Sequence, residues 1–332
     1  MNRRDFLMGL ASGLTSIAAG PRTGGLDTSM RDRKKADQRT TKIALVRSAD
    51  RKEGIRRVID LLDSNPVKGK DVLLKPNFNT ADPYPGSTHN DTLEHLIRRL
   101  QSLGARTITL GERSGPPDTA DVLAEKGIRE LCSKHGVTVI NFEDLPDSDW
   151  VRVRPKLCSW RNGFDVAKPV IDANCIVSTC CLKTHAYGGV FTLSLKLSVG
   201  MTRKRNMAEL HSSFLSMQKM IAEINAAYQP ALVLLDGIEA FTEGGPARGT
   251  KKRADVLLAG TDRIAIDAVG LAVLKDLGSN RAIMDTRIFD QEQISRAVEL
   301  GLGVTGPGHI DIVTDDAPSA SYAARLRAIL GH

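Results

Sequence analysis

Cysteine is scarce in this chain, and its pattern rules out more than it suggests. The five cysteines, Cys132, Cys158, Cys175, Cys180 and Cys181, are odd in number and irregularly spaced, so they do not outline a disulfide framework. No C-x2-C-x2-C-x3-C run is present, which excludes a ferredoxin-type iron–sulfur motif in this chain. Three of the five lie in the apolar stretch 175–181, where a small buried thiol is the ordinary reading. Other familiar signatures are missing too: no G-x-x-x-x-G-K-[ST], no H-E-x-x-H, no G-x-S-x-G elbow, and no G-x-G-x-x-G behind the first strand. A P-loop enzyme, a zincin, an α/β-hydrolase and a classical dinucleotide fold are therefore not expected. Internal repeats and low-complexity tracts are absent as well.

Basic charge is present but badly distributed for a nucleic-acid protein. Residues 1–40 hold eight Lys/Arg against four Asp/Glu, more than half of the formal +7 of the whole 332-residue chain. The basicity belongs mainly to the first forty residues, so nucleic acid is not an expected partner. Two local basic runs remain, Arg203-Lys204-Arg205 and Lys251-Lys252-Arg253, and solvated loops are their plainest explanation.

The N-terminus is informative in another way. Arg3-Arg4-Asp5-Phe6-Leu7 precedes a short apolar, small-residue stretch from Met8 to Ala19, and Gly20-Pro21 follows. This pattern reads as a twin-arginine signal peptide over residues 1–20, implying a periplasmic or otherwise extracytoplasmic location. The stretch is well short of the roughly 20 apolar residues that span a bilayer, so no stable transmembrane segment is expected. Residues 21–40 mix Gly, Ser, Thr and charges and read as a linker.

From residue 41 onward, short apolar runs alternate with amphipathic segments. Strands are expected at 42–46, 71–75, 106–111, 137–141, 174–179, 231–236, 255–260 and 309–313. Helices are expected at 53–63, 90–103, 119–134, 213–227, 262–277, 290–300 and 320–330. Gly104, Gly136 and Gly278 stand where helix C-termini need a residue at positive φ. The alternation predicts one α/β domain over 41–332, with a mainly parallel or mixed sheet and helices on both faces. Ligands of such sheets bind beyond the carboxyl ends of the strands.

Several strands end in polar groups followed by glycine-containing loops. Strand 71–75 ends in Lys75-Pro76-Asn77. Strand 174–179 runs on to Lys183-Thr184-His185 and Gly188-Gly189. Strand 231–236 ends in Asp236-Gly237, followed by Glu239, Gly244-Gly245-Pro246 and Gly249. Three such ends at one sheet edge predict a polar site. The segment 191–200 alternates apolar and polar residues, which favours a strand with Thr192, Ser194, Lys196 and Ser198 on one face; a helix opening after the glycines competes. Either way Lys196 sits among apolar neighbours and needs a carboxylate or an anionic ligand. Asp267 lies in a helix apolar on nearly every side, so it must be paired, metal-bound or protonated, and Asp262 reads as that helix's N-cap.

These same motifs carry a family resemblance. Lys75-Pro76-Asn77, Lys183-Thr184-His185 ahead of Ser194-Leu195-Lys196, Asp236-Gly237-Ile238 with Gly245-Pro246, and Ala259-Gly260 followed by Asp262 and Ala265-Ile266-Asp267 resemble the DUF362 family over roughly residues 42–305. Many members of that family look like fusions to ferredoxin-type iron–sulfur modules, or stand alone behind twin-arginine leaders, and the resemblance implies the second kind here. It implies no established reaction. Members often carry Asn after the Ser-Leu-Lys lysine; here that position is Leu197.

The reading that follows is an exported protein binding an anionic or metal-containing ligand. Lys183, His185 and Lys196 form its catalytic set, for proton-transfer or redox chemistry. Lys75, Asn77, Thr184, Gly245 and Gly249 bind the ligand, and Asp236, Glu239 and Asp267 are available to a divalent metal. A co-exported or redox protein is a further partner. The competing readings are a non-catalytic binding or maturation factor for a metalloenzyme, and a purely structural network of lysines and carboxylates.

Overall fold

The computed structural model describes residues 40–331. The expected export leader over 1–20, and all of the expected linker but its last residue, lie outside the described residues. Nine strands form the main sheet, in the order β11-β1-β10-β9-β7-β2-β3-β4, with β8 paired to β7. Their bounds are β1 Thr41–Arg47, β2 Asp71–Lys75, β3 Thr107–Glu112, β4 Thr138–Asn141, β7 Ile176–His185, β8 Val190–Thr192, β9 Leu232–Gly244, β10 Gly249–Gly260 and β11 Ile310–Val313. A separate antiparallel pair joins β5 Trp150–Val153 to β6 Phe164–Ala167.

The sheet is mixed. One half runs parallel through β9, β7, β2, β3 and β4. The other half places β10 antiparallel between β9 and β1, with β11 parallel to β1. Strand residues alternate between two apolar layers, as a pleated sheet covered on both faces requires. Ala44, Val46, Leu74, Val177 and Leu234 join the helices Arg51–Asp60 and Asn90–Ser102 on one face. Ile43, Leu45, Leu182, Leu235 and Leu258 join the helices Arg263–Asp276, Glu292–Glu299 and Ala317–Leu330 on the other. Burial on both faces explains why these strands read as continuous apolar runs.

Local chemistry sets the helix ends. Gly104, Gly136 and Gly278 have positive φ, as expected. Asp262 accepts a bond from the Ala265 N–H at 2.9 Å, the N-cap role expected of it, and its other oxygen accepts from Val304 N at 2.8 Å. The single helix expected over 119–134 is instead two, Thr119–Glu125 and Ile128–Lys134, broken at left-handed Gly127. The loop expected after Asp236 is largely strand: β9 and β10 form a long hairpin whose ladder slips at Arg253/Val256. Both basic runs have structural settings. Lys251-Lys252-Arg253 lies in β10, while Lys204 meets Glu143 at 2.6 Å and Arg205 meets Asp165 at 2.8 Å.

The segment 191–200 is the largest local departure. Strand β8 ends at Thr192, a short helix covers Ser194–Leu197 and a 3-10 turn covers Ser198–Met201. The cause is Asp267, whose two carboxylate oxygens accept from Ser194 N at 2.7 Å and Leu195 N at 3.1 Å. A buried carboxylate on the first N–H groups of a turn favours helix over strand there.

Candidate functional site

Strands β9, β7, β2 and β3 are parallel neighbours, so their carboxyl ends open side by side. Strand β2 delivers Lys75, followed by Asn77. Strand β7 delivers Lys183 and His185. Strand β3 ends in Glu112, followed by Arg113. The Ser194–Leu197 helix brings Lys196 over the same edge, and together these residues line one cleft. Lys75, Asn77, Lys183, His185 and Lys196 are thus brought together at one cleft.

Four of the residues lining this cleft are cationic, Lys75, Arg113, Lys183 and Lys196, against the single carboxylate of Glu112. Three of the cations are held by the protein. The Lys75 ammonium pairs with Glu112 and donates to Pro76 O at 2.6 Å. Glu112 in turn accepts from Phe78 N at 2.8 Å and Arg113 N at 2.9 Å. Gly200 covers this pair: a Cβ there would stand 2.9 Å from both Lys75 Nζ and Glu112 Oε1. Lys183 is fully buried and reaches no carboxylate among the described residues; it donates to Gly86 O and, at 3.2 Å, to Pro246 O. Arg113 donates to Thr202 O at 2.9 Å, Ser114 O at 2.8 Å and Val199 O. Burial pushes the Lys75 and Lys183 ammonium groups below the usual lysine range and lowers Arg113 to about 10.

Lys196 is the exception. Half-buried in the cleft, it has no hydrogen-bonding or carboxylate partner among the described residues. Burial, with the Lys183 and Arg113 cations nearby, pushes its ammonium down to about 8. His185 lies beside it. A Cβ on Gly189 would stand 3.0 Å from Lys196 Cε and 3.1 Å from His185 Nδ1, so those two atoms are within about 6 Å of each other. Burial and then the Lys196 and Lys183 charges hold the imidazole neutral. Its Nδ1 accepts from Tyr187 N at 3.2 Å, which puts the proton on Nε2. Two further lining groups, Asn77 Oδ1 and Thr192 Oγ1, are buried without a hydrogen-bond partner among the described residues. Unsatisfied buried polar atoms are costly and uncommon, and a ligand would satisfy them.

The remaining expected site residues serve other purposes. Thr184 alternates with Lys183 and His185 on β7, and its hydroxyl donates to Gly244 O at 3.0 Å. A Cβ on Gly245 would lie 2.0 Å from Thr184 O, and one on Gly249 2.2 Å from Glu243 O. These three positions close the β9–β10 hairpin against β7 and do not line the cleft. Asp236 shares the sheet face of Leu234 and accepts from Tyr84 Oη at 2.7 Å, Arg51 Nε at 2.9 Å, Ile238 N at 3.2 Å and Thr92 Oγ1. Glu239 is half-buried with Lys251 3.6 Å away, and Tyr84, Glu239, Arg51, His89, Lys126 and Arg253 line a second cleft. Asp267 is taken up by the two backbone N–H groups, and burial pushes its carboxyl up to about 8. The expected divalent-metal set of Asp236, Glu239 and Asp267 is therefore not assembled. Among the described residues, no three His, Cys, Asp or Glu side chains are placed to hold a metal ion. Of the two partners expected for Lys196, a carboxylate or an anionic ligand, the described residues do not supply the carboxylate, because Asp267 serves the backbone of its turn instead. Glu112 and Arg113 belong to the site unannounced. The available signal was the polar Glu-Arg-Ser sequence ending β3, the same pattern that marked β2 and β7.

The chain is similar to a solved structure of a lactate racemase apoprotein from Thermoanaerobacterium thermosaccharolyticum, with 10% identity over 88% of this chain and 87% of that one, at a TM-score of 0.42. It is 27% identical over 213 residues to a thylakoid-associated protein of Synechocystis, a match covering 62% of this chain and 64% of the length of that relative. The family model described as a domain of unknown function, DUF362, matches residues 72–272, which include every residue lining the basic cleft; the chain belongs to the DUF362 family.

Proposed function

We propose that the chain binds a small anion, a carboxylate or phosphate compound, in the cleft at the ends of β2, β3 and β7, and transfers protons on it through Lys196 and His185. The observation that carries this reading is the excess of four cationic side chains over one carboxylate, with the Lys196 ammonium unpaired among the described residues. Burying uncompensated positive charge costs several kcal/mol, and an anion in the cleft removes that cost. An amine poised near neutral pH beside a neutral imidazole suits general acid–base work. The Arg3-Arg4 leader supports a site of action outside the cytoplasm.

Equilibrium dialysis with inorganic phosphate and with lactate tests the reading. Binding is expected to weaken with added salt. It is also expected to fall above about pH 8, where Lys196 loses the proton that attracts the anion. No binding, or binding indifferent to pH between 6 and 10, refutes it. Binding without turnover of any anion tried assigns the cleft to a non-catalytic carrier instead.

A further inference from the structure

The four cations of the cleft differ in what remains free on each. An ammonium has three N–H donors. Lys75 and Lys183 each direct two at protein oxygens, which leaves a single donor on each fixed group for a ligand. The Arg113 fork is anchored on three backbone carbonyls. These groups can hold an anion but cannot leave their places. Among the described residues the Lys196 ammonium has no bonding partner, while its turn is fixed by Asp267 at Ser194 and Leu195. A positioned but unpaired amine beside fixed anion-binding charges has the makings of a nucleophile.

We propose that Lys196 captures the carbonyl group of an α-oxo acid as an imine, with the carboxylate of the same molecule seated on the fixed cations Lys75, Lys183 and Arg113. This rests on the anion-binding reading above and names the substrate class. An α-oxo acid places a carboxylate next to a carbonyl carbon, matching a cluster of fixed cations next to one free amine. In the step, the lone pair of neutral Lys196 Nζ forms a bond to the carbonyl carbon, and the carbonyl π pair moves to oxygen. That oxygen takes up a proton to give a carbinolamine. The carbon–oxygen bond then breaks, the oxygen leaves as water, and the carbon–nitrogen double bond closes. In net, the two hydrogens of the departing water come from the amine, and no oxidant or reductant is needed. The depressed basicity of Lys196 supplies the neutral amine near neutral pH. His185, with its proton on Nε2, is a donor for the departing oxygen.

The test is to incubate the full chain with pyruvate and sodium cyanoborohydride, which reduces an imine to a stable amine, and to map the product by peptide mass spectrometry. One adduct is expected on Lys196, heavier by the mass of pyruvate less one oxygen. Excess inorganic phosphate should suppress it, and acetone, which offers the carbonyl without the carboxylate, should fail to give it. Lys196→Arg should lose the adduct; because the wild-type map locates the adduct by itself, the result stands even if that variant folds poorly. Adducts spread over surface lysines, or none on Lys196, overturn the proposal. Phosphate binding by dialysis separates the two levels. Bound phosphate without a Lys196 adduct overturns the imine alone, and loss of both overturns the anion site as well.

Discussion

Replacing Lys196 with methionine should make the ligand-free protein more stable. The lysine is held without a partner among the described residues, in a partly closed cleft, and its ammonium is pushed from the ordinary 10.5 to about 8. A fall of that size corresponds to roughly 3 kcal/mol of penalty on the charged form, an upper bound because the side chain keeps some solvent contact. Methionine keeps most of the apolar stem and has no charge to bury. The sign with pH follows from proton binding. Between about pH 8 and 10.5 the unfolded chain holds a proton that the native chain has released, so wild-type stability rises with pH across that window. Below about pH 8 both states are protonated and the full cost is present. The variant should therefore exceed the wild type by up to about 3 kcal/mol near pH 7, and the gap should close toward pH 10.5. Urea denaturation in a low-salt buffer without phosphate, run at several pH values, measures it. A variant less stable than the wild type near neutral pH, or a gap unchanged by pH, refutes the reasoning. Added phosphate should narrow the gap, because a ligand stabilises more the chain that binds it more tightly.

The neighbouring lysine should behave in the opposite way. Lys75→Met strands Glu112 in a buried site, at a cost of about 3–5 kcal/mol; a urea midpoint equal to that of the wild type would show the pair to be dispensable. For export, changing Arg3 and Arg4 together to lysine should leave the chain in the cytoplasm, seen by cell fractionation, and unaltered export of that variant refutes the twin-arginine assignment.

Much of this arrangement was legible in the chain because burial on both faces leaves a plain mark. The strand segments 232–235 and 256–260 are unbroken apolar runs. The convergence of Lys75, Lys183 and His185 was legible for a related reason: a polar group at the end of a buried strand can only emerge at the sheet edge. Asp236 defeated the same logic. Strand alternation carries it to the face of Leu234, where Arg51, Thr92 and Tyr84 meet it. The stretch 191–200 was misleading because its period of two holds, yet only Val190–Thr192 pairs as strand. What turns Ser194–Leu197 into helix is a carboxylate more than seventy residues away in sequence, and a tertiary bond of that kind leaves no local pattern. β5 and β6 are only four residues each and too short to show a period.

Lys183 has a consequence that reaches beyond charge. Its ammonium ties the loop at Gly86 to the hairpin tip at Pro246, two segments far apart along the chain, at the rim of a single cleft. Those loops are therefore ordered when the protein folds, and an arriving anion does not have to arrest them. The entropy of shaping the rim is charged to folding and not to affinity. A ligand meeting such a rim should bind at a rate set by encounter, with little loop closure to wait for. Residues inserted near Pro246 would then be felt as slower, looser capture at a cleft whose own lining had not changed.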